Sequence, residues 1–159
     1  MDSGNIYRDY AAMCAEFREG MQFLEEEDYT SALEAFAKAD IKTSRDDVYK
    51  NKYRSYHGVM LLKTGHLNGM DMCRQAASGE CHDGDVFYNL AQAELKRGNR
   101  RAAIMALHQG IEIDDTHPDL NRMRQKIGAR RCCVLTFLDR DHFLNRLLGK
   151  LTYNPMSKA

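Results

Sequence analysis

The sequence predicts an all-α chain assembled from three successive helix pairs. Three observations carry that expectation. Only two prolines occur in 159 residues, Pro118 and Pro155, which leaves long stretches free to be helical. Strand signatures are nearly absent; the one β-branched and aromatic cluster is "CCVLTF" near the end. Elsewhere apolar and small residues recur at helical spacing, as in "DYTSALEAFAKAD", where Tyr29, Ala32, Phe36 and Ala39 fall on one face.

The elements follow from the breaks between them. "EEEDY", "KTGHL" and "KRGNR" read as tight turns, and "IKTSRDD", "SGECHDGD" and "DDTHP" as longer joins. The two kinds alternate, so each tight turn closes a helix pair and each join leads to the next pair. After the third pair, "HPDLNRMRQKIGARR" reads as a closing helix. Pro118 suits its first turn, and Leu120, Met123 and Ile127 form its apolar stripe. Arg122, Arg124 and Lys126 lie off that stripe, as a solubilising cap requires.

Aligning the tight turns exposes a repeat. Glu27, Gly65 and Gly98 correspond, 38 residues apart (27 to 65) and then 33 (65 to 98). Seven residues before them stand Gly20, Gly58 and Ala91. Five after stand Ala32, Met70 and Ala103; nine after, Phe36, Arg74 and Leu107; twelve after, Ala39, Ala77 and Gly110. Tiny residues at matching places predict helices that cross closely, with Gly20 and Ala32 admitting the approach and Phe36 filling space against the following pair.

This pattern resembles the tetratricopeptide repeat, a helix-turn-helix unit of about 34 residues with a small residue in the first helix and A-x3-F in the second. Repeat one carries it as Gly20, Phe23, Tyr29, Ala32, Phe36 and Ala39, and repeat three as Phe87, Leu90, Ala91, Ala103, Leu107 and Gly110. Repeat two keeps Gly58, Leu61, Leu67 and Ala77 but departs at Met70 and Arg74. The resemblance spans about Tyr10 to Asp115. It implies a right-handed superhelix over residues 1–131 including the cap, followed by a C-terminal extension over 132–159. In the extension, "DRDHFLNRLLGKL" reads as an amphipathic helix. Its face of Phe143, Leu144, Leu147, Leu148 and Leu151 would fold back or support self-association.

The resemblance also implies a groove lined by the first helices of the pairs, which holds a peptide. The peptide-binding side chains would be Phe17, Met21 and Leu24, then Ser55, Val59 and Leu62, then Tyr88, Gln92 and Leu95. Several of these, Leu24, Leu62 and Leu95 foremost, fit a core role equally well. The family's clamp of Lys, Asn and Arg for a C-terminal carboxylate has no counterpart. The matching positions hold Phe17, Met21, Tyr56, Asp85 and Asn89, and Asp85 would repel a carboxylate. Lys52 and Lys63 would flank a groove of apolar to mixed character, suited to an amphipathic or extended apolar segment.

Other chemistry finds little footing. Lys+Arg and Asp+Glu number 23 each, and this balance points away from nucleic acid and membranes. It conceals an acidic stretch at Glu25, Glu26, Glu27 and Asp28 and a basic one from Arg122 to Lys150. Six histidines show no metal-site spacing, and no phosphate loop or nucleophile elbow occurs, so neither metal, cofactor nor enzymatic activity is expected. Five cysteines without framework spacing, no cationic-then-apolar N-terminus and no apolar run of about 20 residues lead to an expected cytoplasmic location. The expected function is a protein-interaction scaffold, adaptor or assembly factor. The alternatives are a chaperone of the secretion-system type and an RNA-associated factor acting through the basic cap.

Overall fold

A computed structural model of the chain describes residues 10–127. They form seven α-helices and no strand, after a single 3-10 turn at Tyr10–Ala12. The helices are α1 (Ala15–Glu25), α2 (Tyr29–Lys42), α3 (Lys50–Lys63), α4 (Gly69–Ser78), α5 (Gly84–Lys96), α6 (Arg100–Ile113) and α7 (Pro118–Ile127). Each of α1–α2, α3–α4 and α5–α6 packs as a pair. α3 also contacts α2 and α5, α4 contacts α5, and α7 closes on α5 and α6. The "CCVLTF" run, the expected boundary after residue 131 and the face of Phe143, Leu144, Leu147, Leu148 and Leu151 lie outside the described residues.

The three tight turns share one backbone geometry. Glu27, Gly65 and Gly98 have φ of 60°, 98° and 78°. In each turn the following N–H reaches back five residues: Asp28 to Phe23 O (2.9 Å), His66 to Leu61 O (2.8 Å) and Asn99 to Glu94 O (2.9 Å). The residue with positive φ itself donates three residues back, to Leu24, Leu62 and Leu95. This two-bond pattern ends a helix through one left-handed residue, which glycine adopts without strain and Glu27 does not.

The second halves of the pairs differ in how they start. Asp28 Oδ1 accepts the Ser31 N–H (3.1 Å) and Asn99 Oδ1 accepts the Ala102 N–H (3.4 Å), so α2 and α6 begin at once. The equivalent residue in the middle pair is His66, which supplies no such cap. There the chain enters α4 through Gly69, Met70 and Asp71, whose N–H groups each reach back three residues, to His66, Leu67 and Asn68. Winding of this kind runs at three residues per turn rather than 3.6 and brings the inner face round one residue early.

That slip corrects the expected alignment of the middle pair. The residues facing inward are Gly69, Cys73 and Ala76, with the same spacing as Ala32, Phe36, Ala39 and as Ala103, Leu107, Gly110. Ala77 is only half-buried, Leu67 is 79% exposed, and Arg74 turns outward to Glu94. Met70 is buried beside these three, so α4 buries four residues, as α2 and α6 do, but in a different pattern.

The tiny residues act at two different contacts. A Cβ on Gly69 would stand 2.2 Å from Gly58 O, and one on Gly58 2.7 Å from Gly69 O, so here two backbones touch. Gly20 was expected to admit a backbone as well. Instead, a Cβ there would meet the Phe36 ring at 2.7 Å. Phe36 in turn packs against Phe17 (centroids 5.3 Å apart) and against Tyr56 of the next pair (5.2 Å), which is the space it was expected to fill. Tyr53 joins this group through Phe17 and accepts the Cys14 N–H at 3.1 Å, anchoring the start of α1. Aromatic pairs of this kind contribute roughly 0.5–1.5 kcal/mol each beyond area burial. In α7, Leu120 is fully buried against the third pair, Met123 and Ile127 are half-buried beside it, and Arg122, Arg124 and Lys126 are exposed.

Candidate functional site

The first helices of the pairs share a cavity of about 300 Å³. α1 contributes Met21 and Leu24; α3 contributes Tyr56, Val59, Met60 and Lys63; α5 contributes Asp85, Tyr88, Asn89 and Gln92; and α7 contributes Asp119. Five of the nine residues read as peptide-binding therefore meet in one hollow: Met21, Leu24, Val59, Tyr88 and Gln92. Leu62 and Leu95 line a neighbouring cavity of about 280 Å³ with Val59, Lys63, Gln92, Ala93 and Lys96. Both hollows are framed by helix ends. Asp85 and Asp119 sit in the first turns of α5 and α7, while Lys63 and Lys96 end α3 and α5.

Phe17 and Ser55 line neither hollow. Phe17 is fully buried in the aromatic group, because α1 turns that face onto Phe36 and Tyr53 rather than outward. Ser55 lies at the α3–α5 contact, donating to Lys52 O (2.8 Å) and accepting from Asn89 Nδ2 (3.0 Å). Val59 and Leu62 are also largely covered, so the accessible apolar surface of the hollow comes chiefly from the half-buried Met21, Leu24 and Tyr88.

Lys52 was expected on the flank of the groove, but it is buried inside the protein. Its ammonium lies 2.7 Å from Asp85 Oδ2 and 3.2 Å from Asp83 Oδ2. Asp85 Oδ1 meets His117 Nε2 at 2.9 Å, and the Tyr88 ring stacks on the imidazole with centroids 6.2 Å apart. Leu120 N–H donates to His117 Nδ1 (3.4 Å), leaving Nε2 to donate to Asp85. The cluster ties α3, the start of α5 and the entry to α7 together. Glu80 anchors its loop by accepting the N–H groups of Cys81, His82 and Asp83 at 2.8–3.1 Å.

Burial opposes every charge in this cluster, and the neighbours decide the outcome. For Asp85, the His117 hydrogen bond and the Lys52 ammonium outweigh burial and hold the carboxyl below its ordinary value. For Asp83, burial prevails over Lys52 and pushes the carboxyl up to about 6. For Lys52, the two aspartates outweigh burial and raise it. The cluster was not legible from sequence, because its members are scattered through the chain and look like ordinary surface charges.

No group of three or more His, Cys, Asp and Glu side chains suited to a metal ion occurs among the described residues. No described helix is long and apolar enough to cross a membrane. No protein-family model matches the chain, and no curated protein matches it either.

Proposed function

We propose that the three helix pairs stack as a tetratricopeptide-like array and hold an apolar or amphipathic segment of a partner protein in the hollow between α1, α3, α5 and α7. The observation that carries this reading is the shared cavity itself. Side chains from all three first helices and from the cap converge on it, with apolar surface at Met21, Leu24 and Tyr88 and the amide of the half-buried Gln92. Such a lining suits a segment that buries apolar side chains and finds a polar partner at that amide. The turns, the aromatic group and the buried cluster fix the walls before binding, so the scaffold loses little conformational freedom on association.

Peptides selected from a displayed random library on the full chain, then titrated by fluorescence anisotropy, test this. Met21→Glu and Leu24→Glu place charges on half-buried walls without opening the core. They are expected to weaken binding by roughly tenfold or more, whereas Met105→Glu, on exposed surface of α6, leaves it unchanged. Circular dichroism melts confirm that each variant folds. Binding that ignores Met21→Glu and Leu24→Glu contradicts the reading.

A further inference from the structure

We infer that the buried group of Lys52, Asp83, Asp85 and His117 is a proton-operated latch on the cap helix. In mild acid one proton settles on Asp83 rather than on His117, and α7 is held more firmly. The pairing of charges calls for that proton. Among the described residues of this group, one ammonium, Lys52, faces two carboxylates. His117 receives the Leu120 N–H at Nδ1, so its ring is neutral while that bond stands. All four side chains are buried, and the group carries one negative charge in excess, an arrangement that burial strongly disfavours.

The distances put the excess on Asp83. Lys52 lies 2.7 Å from Asp85 but 3.2 Å from Asp83, and His117 donates to Asp85 as well. Among the described residues, Asp83 Oδ2 meets only the Lys52 ammonium. Asp83 Oδ1 accepts the Asp85 N–H at 2.9 Å, so a proton on Oδ2 breaks no bond. Lys52 then serves Asp85 alone, and Asp85 keeps its hold on His117. A proton on His117 Nδ1 has the opposite effect. It sets one N–H against that of Leu120 and removes an acceptor from the first turn of α7. The ring is also closely seated: it stacks with Tyr88, and a Cβ on Gly84 would meet its Cδ2 at 2.8 Å. The carboxyl itself agrees with this placement. Burial pushes Asp83 up to about 6, with Lys52 opposing and Asp85 adding, whereas Asp85 is held below its ordinary value.

The other titratable groups on the surrounding elements do not supply the missing cation. Glu80 accepts the Asp83 N–H, and His82 is exposed in the same loop. Asp114, ahead of α7, accepts from Thr116. Tyr56 and Tyr88 bring phenols, and Asp119 pairs with Arg122 at the surface. Lys63 stands at the end of α3 with its ammonium 4.3 Å from the Tyr29 ring centre. Asp85, Tyr88 and Asp119 border the hollow, so the latch also firms that wall.

Hydrogen exchange of the Leu120 amide, followed by NMR on the full chain and corrected for the intrinsic rate, tests the latch. Asp83 returns from about 6 to its ordinary 3.8 when the cap opens, so exchange is expected to slow about fourfold from pH 7.5 to 5.5. Nitrogen-15 spectra of His117 at pH 5.5 should show Nε2 protonated and Nδ1 bare. Asp83→Asn keeps an acceptor for the Asp85 N–H and removes the excess charge, so its Leu120 exchange should be the same at both pH values. Faster wild-type exchange at pH 5.5 with both His117 nitrogens protonated overturns the inference, and so does wild-type exchange that ignores pH. No peptide enters these measurements, so their failure leaves the groove reading untouched.

Discussion

Gly69 and Gly20 are equally small, but the structure assigns them different costs of enlargement. A Cβ on Gly69 strikes a backbone carbonyl that two packed helices hold in place; one on Gly20 strikes the Phe36 ring, a side chain rather than backbone. Gly69→Ala is therefore expected to destabilise by about 2–3 kcal/mol, and Gly20→Ala by about 1 kcal/mol, in urea unfolding. The reverse order would show that α3 and α4 do not touch at Gly58 and Gly69. Asp83 supplies a second prediction at this scale. Its folded value, about 6, lies above the ordinary 3.8, so the fold favours the protonated acid. Its contribution is fully present below pH 3.8 and is lost as pH rises through 6. Asp83→Asn keeps an acceptor for the Asp85 N–H but cannot ionise. The variant should therefore gain on the wild type between pH 4 and 7, by up to about 3 kcal/mol. Equal pH profiles from paired urea titrations would refute the burial of Asp83 as a charge. Asp85 has the opposite sign: it supports the fold above the ordinary carboxyl range and loses that support as pH falls.

The helices themselves were legible in the sequence, and so were the turns, because positive φ at Gly65 and Gly98 leaves a glycine where the pattern breaks. Glu27 was found only because its neighbours matched. The one-residue slip in the middle pair was not legible. It arises from 3-10 winding at Gly69–Asp71, and sequence spacing measured at 3.6 residues per turn assigns the inner face to Met70 and Arg74 instead. Its cause is the missing Asx cap at His66, which yields a prediction for the element. Asp28→Ala and Asn99→Ala should each cost about 1 kcal/mol, since each removes an acceptor for a first-turn N–H. His66→Ala should cost almost nothing in the same thermal-melt series. A loss at His66 equal to that at Asp28 would mean that the three helix starts are alike after all. The groove was partly legible for a related reason. Helical spacing identified the outward stripes of α1 and α5 but could not tell Phe17 and Ser55 from their exposed neighbours, because their burial is decided by Tyr53 and Asn89 on other helices.

The described residues behave as a single stack in which each pair leans on the next. Phe36 reaches into the second pair, the Arg74–Glu94 pair joins α4 to α5, and Lys52, Asp85 and His117 carry the connection through to the cap. Removing Lys52 would leave two buried carboxylates facing each other, whereas deleting any one surface ion pair changes little. The same connection sets the shape of the hollow, because Tyr56, Asp85, Tyr88 and Asp119 all border it. The central claim is that this hollow receives the partner segment, and methionine methyl groups report on it directly. Met21 and Met60 line the cavity, while Met105 is exposed on α6 and lines neither hollow described here. In methyl-labelled protein titrated with a selected peptide, NMR signals of Met21 and Met60 should shift and that of Met105 should stay put. A peptide that binds while leaving Met21 and Met60 unmoved would contradict the account.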